Sequence, residues 1–350
     1  MKSPKLEQPI RVLIVDDSAS GRRALTRLLE VSPGIEVVGR AADGEEGLKL
    51  ALQLSPDVIT LDLEMPKMDG YTFLRLLKAS RPVPVIVVSS YAHQSDVFKA
   101  LQLGAVDFVA RPSSGEAGYV AVRAELVAKL RSVPFMRKPD GRPSQVRKQT
   151  RPLPPPPVEE EARLVLIGAS TGGPPAVQKV LESLSGLPVC VVVAQHMPAR
   201  FTQAFADRLD QSLSFRVSEA ADGDRVAPGR VYVAPGGRQL ELECRDEVLR
   251  LKVSAAAPTD AHAPSVDRLF TSAARVAPAG TFALVLTGMG NDGSRGVRAL
   301  DKAGAEVWAE AESSAIVFGM PEAAIGTGVV KRTLALDELG PALARALSPR

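Results

Sequence analysis

Apolar residues in this chain fall into short runs, and the stretches between the runs repeat their apolar positions at helical spacing. In the first third, Val12–Val15, Glu36–Arg40, Val58–Leu61, Val85–Ser89 and Asp107–Val109 read as strands, with Ser20–Leu29, Glu45–Leu54 and Tyr71–Lys78 as helices between them. A strand followed by an amphipathic helix, repeated, builds βα units that form a parallel sheet with helices on both faces. The rhythm returns later at Leu164–Ile167, Val189–Ala194, Arg230–Val233, Phe282–Thr287 and Glu306–Ala309. The pattern predicts an α/β chain: a five-stranded parallel sheet, then a second α/β unit.

Between the two halves the periodicity disappears. From Lys138 to Glu161 the chain holds Pro-Leu-Pro-Pro-Pro-Pro (152–157) and the acidic triplet Glu159–Glu161, a composition that makes a solvated, semi-extended connector. The expected division is a first domain at 9–130, a basic, Pro-rich linker at 131–161 and a second domain at 162–348. A length of 350 residues lets each domain bury its own core.

Charge alters the picture only locally. Within residues 137–151, Arg137, Lys138, Arg142, Arg147, Lys148 and Arg151 face only Asp140, while the whole chain is +3. The basic character therefore belongs to the linker, and aromatics at 4% offer few platforms for stacking bases, so no nucleic-acid partner is expected. No stretch of about 18 apolar residues suggests a membrane span. The charged start, Met1–Gln8, is unlike a signal peptide, so a cytoplasmic protein without membrane insertion is expected. Cys190 and Cys244 lack metal or redox spacing and read as buried free thiols.

Working residues of an open parallel sheet gather at the carboxyl ends of its strands. The first strand ends in Asp16-Asp17, the third in Asp62 and the fourth in Ser89-Ser90, and Arg111-Pro112 follows the fifth. Three carboxylates, a hydroxyl and a cation meet at one edge. Any one Asp reads equally as a helix cap, and Asp16-Asp17-Ser18 would serve as one. As a set they repel one another unless a hard cation neutralises them, which fits Mg²⁺ held through oxygen. A carboxylate so held, facing a hydroxyl and a cation, can accept a phosphoryl group.

In the second half, Gly168-Ala169-Ser170-Thr171-Gly172 places Gly-x-Ser-x-Gly on a strand-to-helix turn. The helix start beyond it is expected to offer free N–H groups to a developing anion. Such a turn equally cradles a phosphate or dinucleotide, or is simply a tight turn. Two further strand ends bear on the choice. Val189–Ala194 leads into Gln195-His196, and Phe282–Thr287 into Gly288-Met289-Gly290-Asn291-Asp292. Alone, His196 reads as structural and Asn-Asp-Gly as a turn. With Ser170 they supply a nucleophile, its base and the carboxylate that orients the base. A dinucleotide site wants an acidic residue about 20 residues past the glycines; this chain has Gln195-His196 there.

These motifs resemble known families. Val-Asp-Asp-Ser (15–18), Leu-Asp-Leu-Glu-Met-Pro-Lys-Met-Asp-Gly (61–70), Val-Ser-Ser (88–90) and Asp-Phe-Val-Ala-Arg-Pro (107–112) look like a two-component response-regulator receiver. Ile-Gly-Ala-Ser-Thr-Gly-Gly-Pro (167–174), Gln-His-Met-Pro (195–198), Pro-Ser-Val-Asp (264–267), Leu-Thr-Gly-Met-Gly-Asn-Asp-Gly (286–293) and Val-Phe-Gly-Met-Pro-Glu-Ala (317–323) are similar to the catalytic domain of CheB-type chemotaxis protein-glutamate methylesterases. The resemblance implies a flavodoxin-like receiver joined to a doubly wound methylesterase domain.

It further implies Asp62 as phospho-acceptor, with Mg²⁺ held by Asp16, Asp17, Asp62 and the backbone carbonyl of Glu64. Ser89, Phe108 and Arg111 would sense the phosphoryl group. In the second domain it implies that Ser170 attacks the methyl ester of a receptor glutamate, with His196 as base and then acid and Asp292 orienting the imidazole. The Met289 amide would stabilise the oxyanion, Thr171 would support the site, and receptor glutamines would be deamidated by the same chemistry. No cofactor is implied for the hydrolase. The implied partners are methyl-accepting chemotaxis receptors and a histidine kinase of the CheA type.

Three places depart from the family pattern. Arg111 stands where Lys is usual, and a planar guanidinium is not a compact ammonium. Ala309-Glu310-Ala311-Glu312 and Gly237-Arg238-Gln239 differ outside the triad. Two other classes stay open on residues alone: a receiver whose second domain binds a nucleotide without hydrolysis, and an output that acts on DNA or a scaffold through the basic linker. No helix-turn-helix pattern follows the linker.

Overall fold

The computed structural model describes residues 8–90, 94–111, 115–136, 163–276 and 279–348. They fall into two compact units, within Met1–Ser144 and Gln145–Arg350. Most of the expected linker, from residue 137 onward, lies outside the described residues.

In the first unit, strands and helices alternate as β1 (Ile10–Val15), α1 (Ala19–Glu30), β2 (Ile35–Ala41), α2 (Gly44–Leu54), β3 (Val58–Leu61), α3 (Gly70–Ser80), β4 (Val85–Ser90), α4 (Gln94–Leu103), β5 (Asp107–Arg111) and α5 (Gly115–Arg131). The five strands are parallel in the order β2-β1-β3-β4-β5, the flavodoxin-like arrangement. Helices cover both faces, so strand residues such as Leu13, Ile14, Ile59 and Val87 are wholly buried. Three helices start where a side chain takes up a free amide: Ser18 accepts from Gly21, Asp43 from Glu46 and Asp69 from Thr72. A single 3₁₀ turn, Val133–Phe135, and the buried Met136 continue this unit past α5.

The second unit runs β6 (Arg163–Ala169), α6 (Gly173–Ser183), β7 (Val189–Gln195), α7 (Phe201–Ser212), β8 (Arg216–Glu219), β9 (Arg230–Val233), β10 (Arg238–Arg245), β11 (Val248–Ala255), α8 (Val266–Val276), β12 (Phe282–Val285), α9 (Ser294–Lys302), β13 (Glu306–Glu310), α10 (Gly319–Ile325), β14 (Arg332–Leu334) and α11 (Leu336–Leu347). Seven strands pair in parallel in the order β14-β13-β12-β6-β7-β9-β8. The chain winds outward from β6 in one direction through β7 and in the other through β12, which makes the sheet doubly wound. Because β6 lies between β7 and β12, whatever follows those three strands shares one edge.

Strands β8 and β14 and the antiparallel pair β10–β11 were not expected from the pattern. Cys190 is buried in β7, but Cys244 is exposed on β10, which corrects the reading of two buried thiols. The correction follows from the hairpin, because an antiparallel pair can keep one face in water. Among the described residues no helix is long and apolar enough to cross a membrane.

Candidate active site and acidic pocket

Backbone register alone brings the serine turn between its two neighbours. The Ser170 amide donates to Thr287 O at 3.0 Å on the β12 side, and the His196 amide donates to Ala169 O at 3.0 Å from the β7 side. Gly168 is needed because a Cβ there would meet Val266 Cγ1 at 2.3 Å. Gly172 takes a left-handed φ of +76° that closes the turn. The buried Gln195 ties the turn to the histidine loop, its Nε2 donating to Ser170 O (2.8 Å) and His196 O (3.2 Å).

The start of α6 is poorer in amides than expected. The Gly173 amide is engaged by Ser170 O at 2.8 Å, and Pro174 and Pro175 have no N–H. This corrects the expectation of free helix-terminal donors, and it also deprives a phosphate or dinucleotide of the amides such a cradle uses. Nearby amides that donate to no acceptor among the described residues include those of Thr171 and Gly172 on the serine turn, and of Met289 and Gly290 after β12. Thr171 is buried, while the Met289 side chain is exposed.

His196 Nε2 lies 2.8 Å from Asp292 Oδ2. A carboxylate only accepts, so Nε2 carries the proton and Nδ1 is left as an acceptor. Ser170 Oγ makes no hydrogen bond among the described residues; in free enzymes that bond commonly tightens only with substrate. Asp292 is buried and densely bonded. Its Oδ1 accepts from Ser265 Oγ (3.0 Å) and the Asp267 amide (2.9 Å), and its Oδ2 from the Val266 amide (2.7 Å). Burial opposes its charge, but the bond and charge of His196 and the amides at the start of α8 outweigh it and bring the carboxyl down to about 2.

Asp267 returns the favour. Its Oδ1 accepts from the amides of Gly293 (3.0 Å), Arg295 (2.9 Å) and Gly296 (2.8 Å), and its Oδ2 from Arg295 Nε (2.9 Å). Asp292, just ahead of α9, thus caps α8, and Asp267, in the first turn of α8, caps α9. Behind the serine turn, Thr287 Oγ1 donates to Thr171 O (2.9 Å) and the Thr287 amide to Glu310 Oε2 (2.9 Å). Burial raises the Glu310 carboxyl above its ordinary range, against the bonds from Thr287 and Ser314.

In the first unit, Asp16, Asp17 and Asp62 place oxygens within 4.8 Å of one another. Arg111, the last residue of β5, spans them: Nη2 is 2.6 Å from Asp62 Oδ2 and Nη1 is 3.3 Å from Asp16 Oδ2. Its Nη2 also donates to Val88 O at 3.2 Å. The longer contact is a charge contact without hydrogen-bond alignment, and Asp16 Oδ2 accepts no hydrogen bond although Asp16 is only 1% exposed. Burial pushes the Asp16 carboxyl up to about 6, with Arg111 working against the rise and the Asp62 charge adding to it. Three converging oxygens, one of them orphaned and costly to ionise, are the donor set of a hard divalent cation, so the residues present fit Mg²⁺. Glu64 follows on the loop after β3, exposed; Phe108 is buried edge-on to Phe98, with centroids 6.4 Å apart. The Ser89 side chain lies outside the described residues.

The CheB methylesterase family model matches residues 165–343, and the response regulator receiver domain matches residues 12–123. The chain belongs to the CheB methylesterase family. It is 53% identical over 337 residues to protein-glutamate methylesterase/protein-glutamine glutaminase 1 of Myxococcus xanthus, covering 96% of each chain. It is 52% identical over 335 residues to a protein of the same designation, number 6, from Anaeromyxobacter dehalogenans, covering 94% of this chain and 93% of that one. The crystal structure of the Thermotoga maritima CheB methylesterase catalytic domain matches 53% of this chain and 99% of its own, at 35% identity and a TM-score of 0.51.

Several residues that shape this CheB-family site had no role in the sequence reading. Gln195, Ser265 and Asp267 were visible inside the quoted motifs, without a function. Their roles depend on bonds that cross 25 to 29 residues of chain, as between Asp292 or Asp267 and the opposite helix start. His262 carried no signal in the sequence, and the buried Gln239 stood out only as part of the departure at 237–239.

Proposed function

We propose that this protein hydrolyses methyl esters on glutamate residues of chemoreceptors, and deamidates receptor glutamines, with Ser170, His196 and Asp292 as its reacting set. The observation that carries the reading is the 2.8 Å pair of His196 and Asp292 at the two strand ends that bracket Ser170. Ser170 Oγ attacks the ester carbonyl while His196 Nδ1 takes its proton. The carbonyl oxygen becomes an oxyanion near the free amides of Met289 and the serine turn; donors of this kind typically contribute about 3 kcal/mol. His196 returns the proton to the leaving methoxide, and methanol departs. Water, deprotonated by His196, then attacks the acyl-serine and releases glutamate and Ser170. With a glutamine side chain the same steps release ammonia. Asp292, ionised, holds the imidazole and stabilises its charged form.

The first domain is proposed as the control element, with the division 9–130, 131–161 and 162–348. Asp62 is its phospho-acceptor, and Asp16, Asp17, Asp62 and the Glu64 carbonyl would hold Mg²⁺, whose bound charge neutralises the phosphoryl oxygens during transfer. Arg111 and Ser89 would contact the phosphoryl group, and Phe108 would report it. The phosphodonor is a histidine kinase of the CheA type, and the protein works in the cytoplasm. The test is methanol release from methylated receptor by wild type and Ser170→Ala, each with and without a small phosphodonor and Mg²⁺. Wild type should release methanol, faster with phosphodonor, and Ser170→Ala none. Methanol release by Ser170→Ala at the wild-type rate would remove the triad reading.

A further inference from the structure

Between β11 and α8 the chain crosses the triad as a strap, residues 256–265, that the steps above do not use. One buried residue fixes it. Gln239 is 0% exposed; its Nε2 donates to His262 O (2.7 Å) and Asp260 Oδ2 (3.0 Å), and its Oε1 accepts from the Ser265 amide (3.0 Å). The Gly237 amide adds a bond to Ala263 O at 3.0 Å. From this anchored strap Ser265 Oγ reaches Asp292, and the His262 imidazole lies flat on that of His196. Their centroids are 4.2 Å apart and their planes differ by 8°.

Nitrogen atoms of both rings and an Asp292 oxygen lie within 4.8 Å, which invites a metal reading. The ring geometry argues against it. Imidazole lone pairs lie in the ring plane, so two rings stacked face to face point theirs along parallel planes and cannot share one cation at a normal bond length. Stacking serves orientation instead. A histidine held by a single bond from Nε2 can still turn about that bond and carry Nδ1 away from its partner; a flat ring against its face removes the turn.

We propose that His262 is a positioning residue for hydrolysis, a wall that keeps the His196 ring in the plane where Nε2 meets Asp292 and Nδ1 remains available to Ser170. This rests on the reading of Ser170, His196 and Asp292 given above. His262 is exposed as a residue, but desolvation of its imidazole and the neighbouring His196 lower its pKa, against the Asp292 and Asp267 carboxylates.

The test uses the full chain with methylated receptor as substrate. His262→Ala should lower kcat on the order of 10-fold, with KM unchanged within about twofold, because misplacing a reacting group costs rate before binding. His262→Phe, which keeps a flat ring without a titrating nitrogen, should restore most of the loss. The chain has three histidines, so imidazole ¹⁵N spectra of the whole protein are assignable by single substitutions. His196 should show one Nε2–H tautomer in wild type and His262→Phe, and averaged shifts in His262→Ala, a readout independent of turnover. The proposal is overturned if His262→Phe is as slow as His262→Ala, if only KM changes, or if His262→Ala keeps wild-type kcat and a single His196 tautomer. Should Ser170→Ala remain active, the failure lies with the triad reading and not with the wall.

Discussion

Asp16 and Asp292 are both buried on loops that follow a strand of a parallel sheet, yet they differ in how the protein treats their charge. Asp292 receives bonds from His196, Ser265 and two helix-terminal amides, and its carboxyl falls to about 2. Asp16 is buried with one oxygen that accepts no hydrogen bond, and burial together with the repulsion of Asp62 lifts its carboxyl to about 6 against the opposing charge of the off-line Arg111 guanidinium. An acid that the fold satisfies completely is a fixed component, ready to orient a base. An acid that the fold leaves short of donors is a place for a cation to complete. On the proposed reading, the two halves of the chain put a buried acid to opposite uses.

The contrast breaks most visibly at Asp292. Asp292→Asn keeps the size but lets an amide meet His196, which favours the wrong tautomer; kcat for methanol release should fall by about 10⁴-fold. A loss below about tenfold would mean that the strap, not the acid, orients the imidazole. On the other side, Asp16→Asn should weaken Mg²⁺ binding to the full chain by at least the ~10–100-fold typical of losing a supporting group. Titration calorimetry reads this directly, and Asp292→Asn serves as the control that should leave it untouched. Equal Mg²⁺ affinity in wild type and Asp16→Asn would show that the orphaned oxygen is not a cation site.

The strand ends that define both sites were legible because buried parallel strands are continuous apolar runs, as in Val189–Ala194, and the polar residue that stops each run faces the working edge. The hairpin β10–β11 was not. Its Leu240, Leu242 and Leu251 alternate with charged residues, and its turn is Asp246-Glu247, both at positive φ, in place of the glycine or asparagine that would announce it. The departure at 237–239 gained meaning only in three dimensions, where Gln239 holds the strap. Likewise Glu310 became the acceptor for the Thr287 amide behind the serine turn. Such roles come from contacts between segments far apart in sequence, and no local pattern encodes them.

A smaller effect separates the receiver of this chain from a lysine-bearing one. The Arg111 fork holds Asp62 and Asp16 with different nitrogens, so a cation entering the pocket must displace or share both contacts. Lysine, with one nitrogen, engages fewer oxygens at once. Arg111→Lys should therefore bind Mg²⁺ severalfold more tightly by calorimetry; unchanged or weaker binding would mean that the guanidinium does not compete for these oxygens.

The smallest effects concern the crossed caps that fix Asp292. Asp267→Asn keeps one acceptor oxygen but removes the charge that gathers three amides and Arg295, so the loss should be about 1 kcal/mol, a typical cap value. That corresponds to a fall of roughly 2–4 °C in the melting of the second unit. Its pH dependence carries the same logic through Asp292. Because the folded carboxyl, at about 2, lies below the ordinary 3.8, the unfolded chain binds the proton more readily. The stabilisation is therefore complete above the ordinary value and drains away as pH falls toward 2. Wild type should lose more melting temperature than Asp292→Asn over that interval, and the gap between them should narrow. A gap that stays constant down to pH 2 would mean that His196 and the amides at the start of α8 together stabilise the Asp292 carboxylate no better than water does.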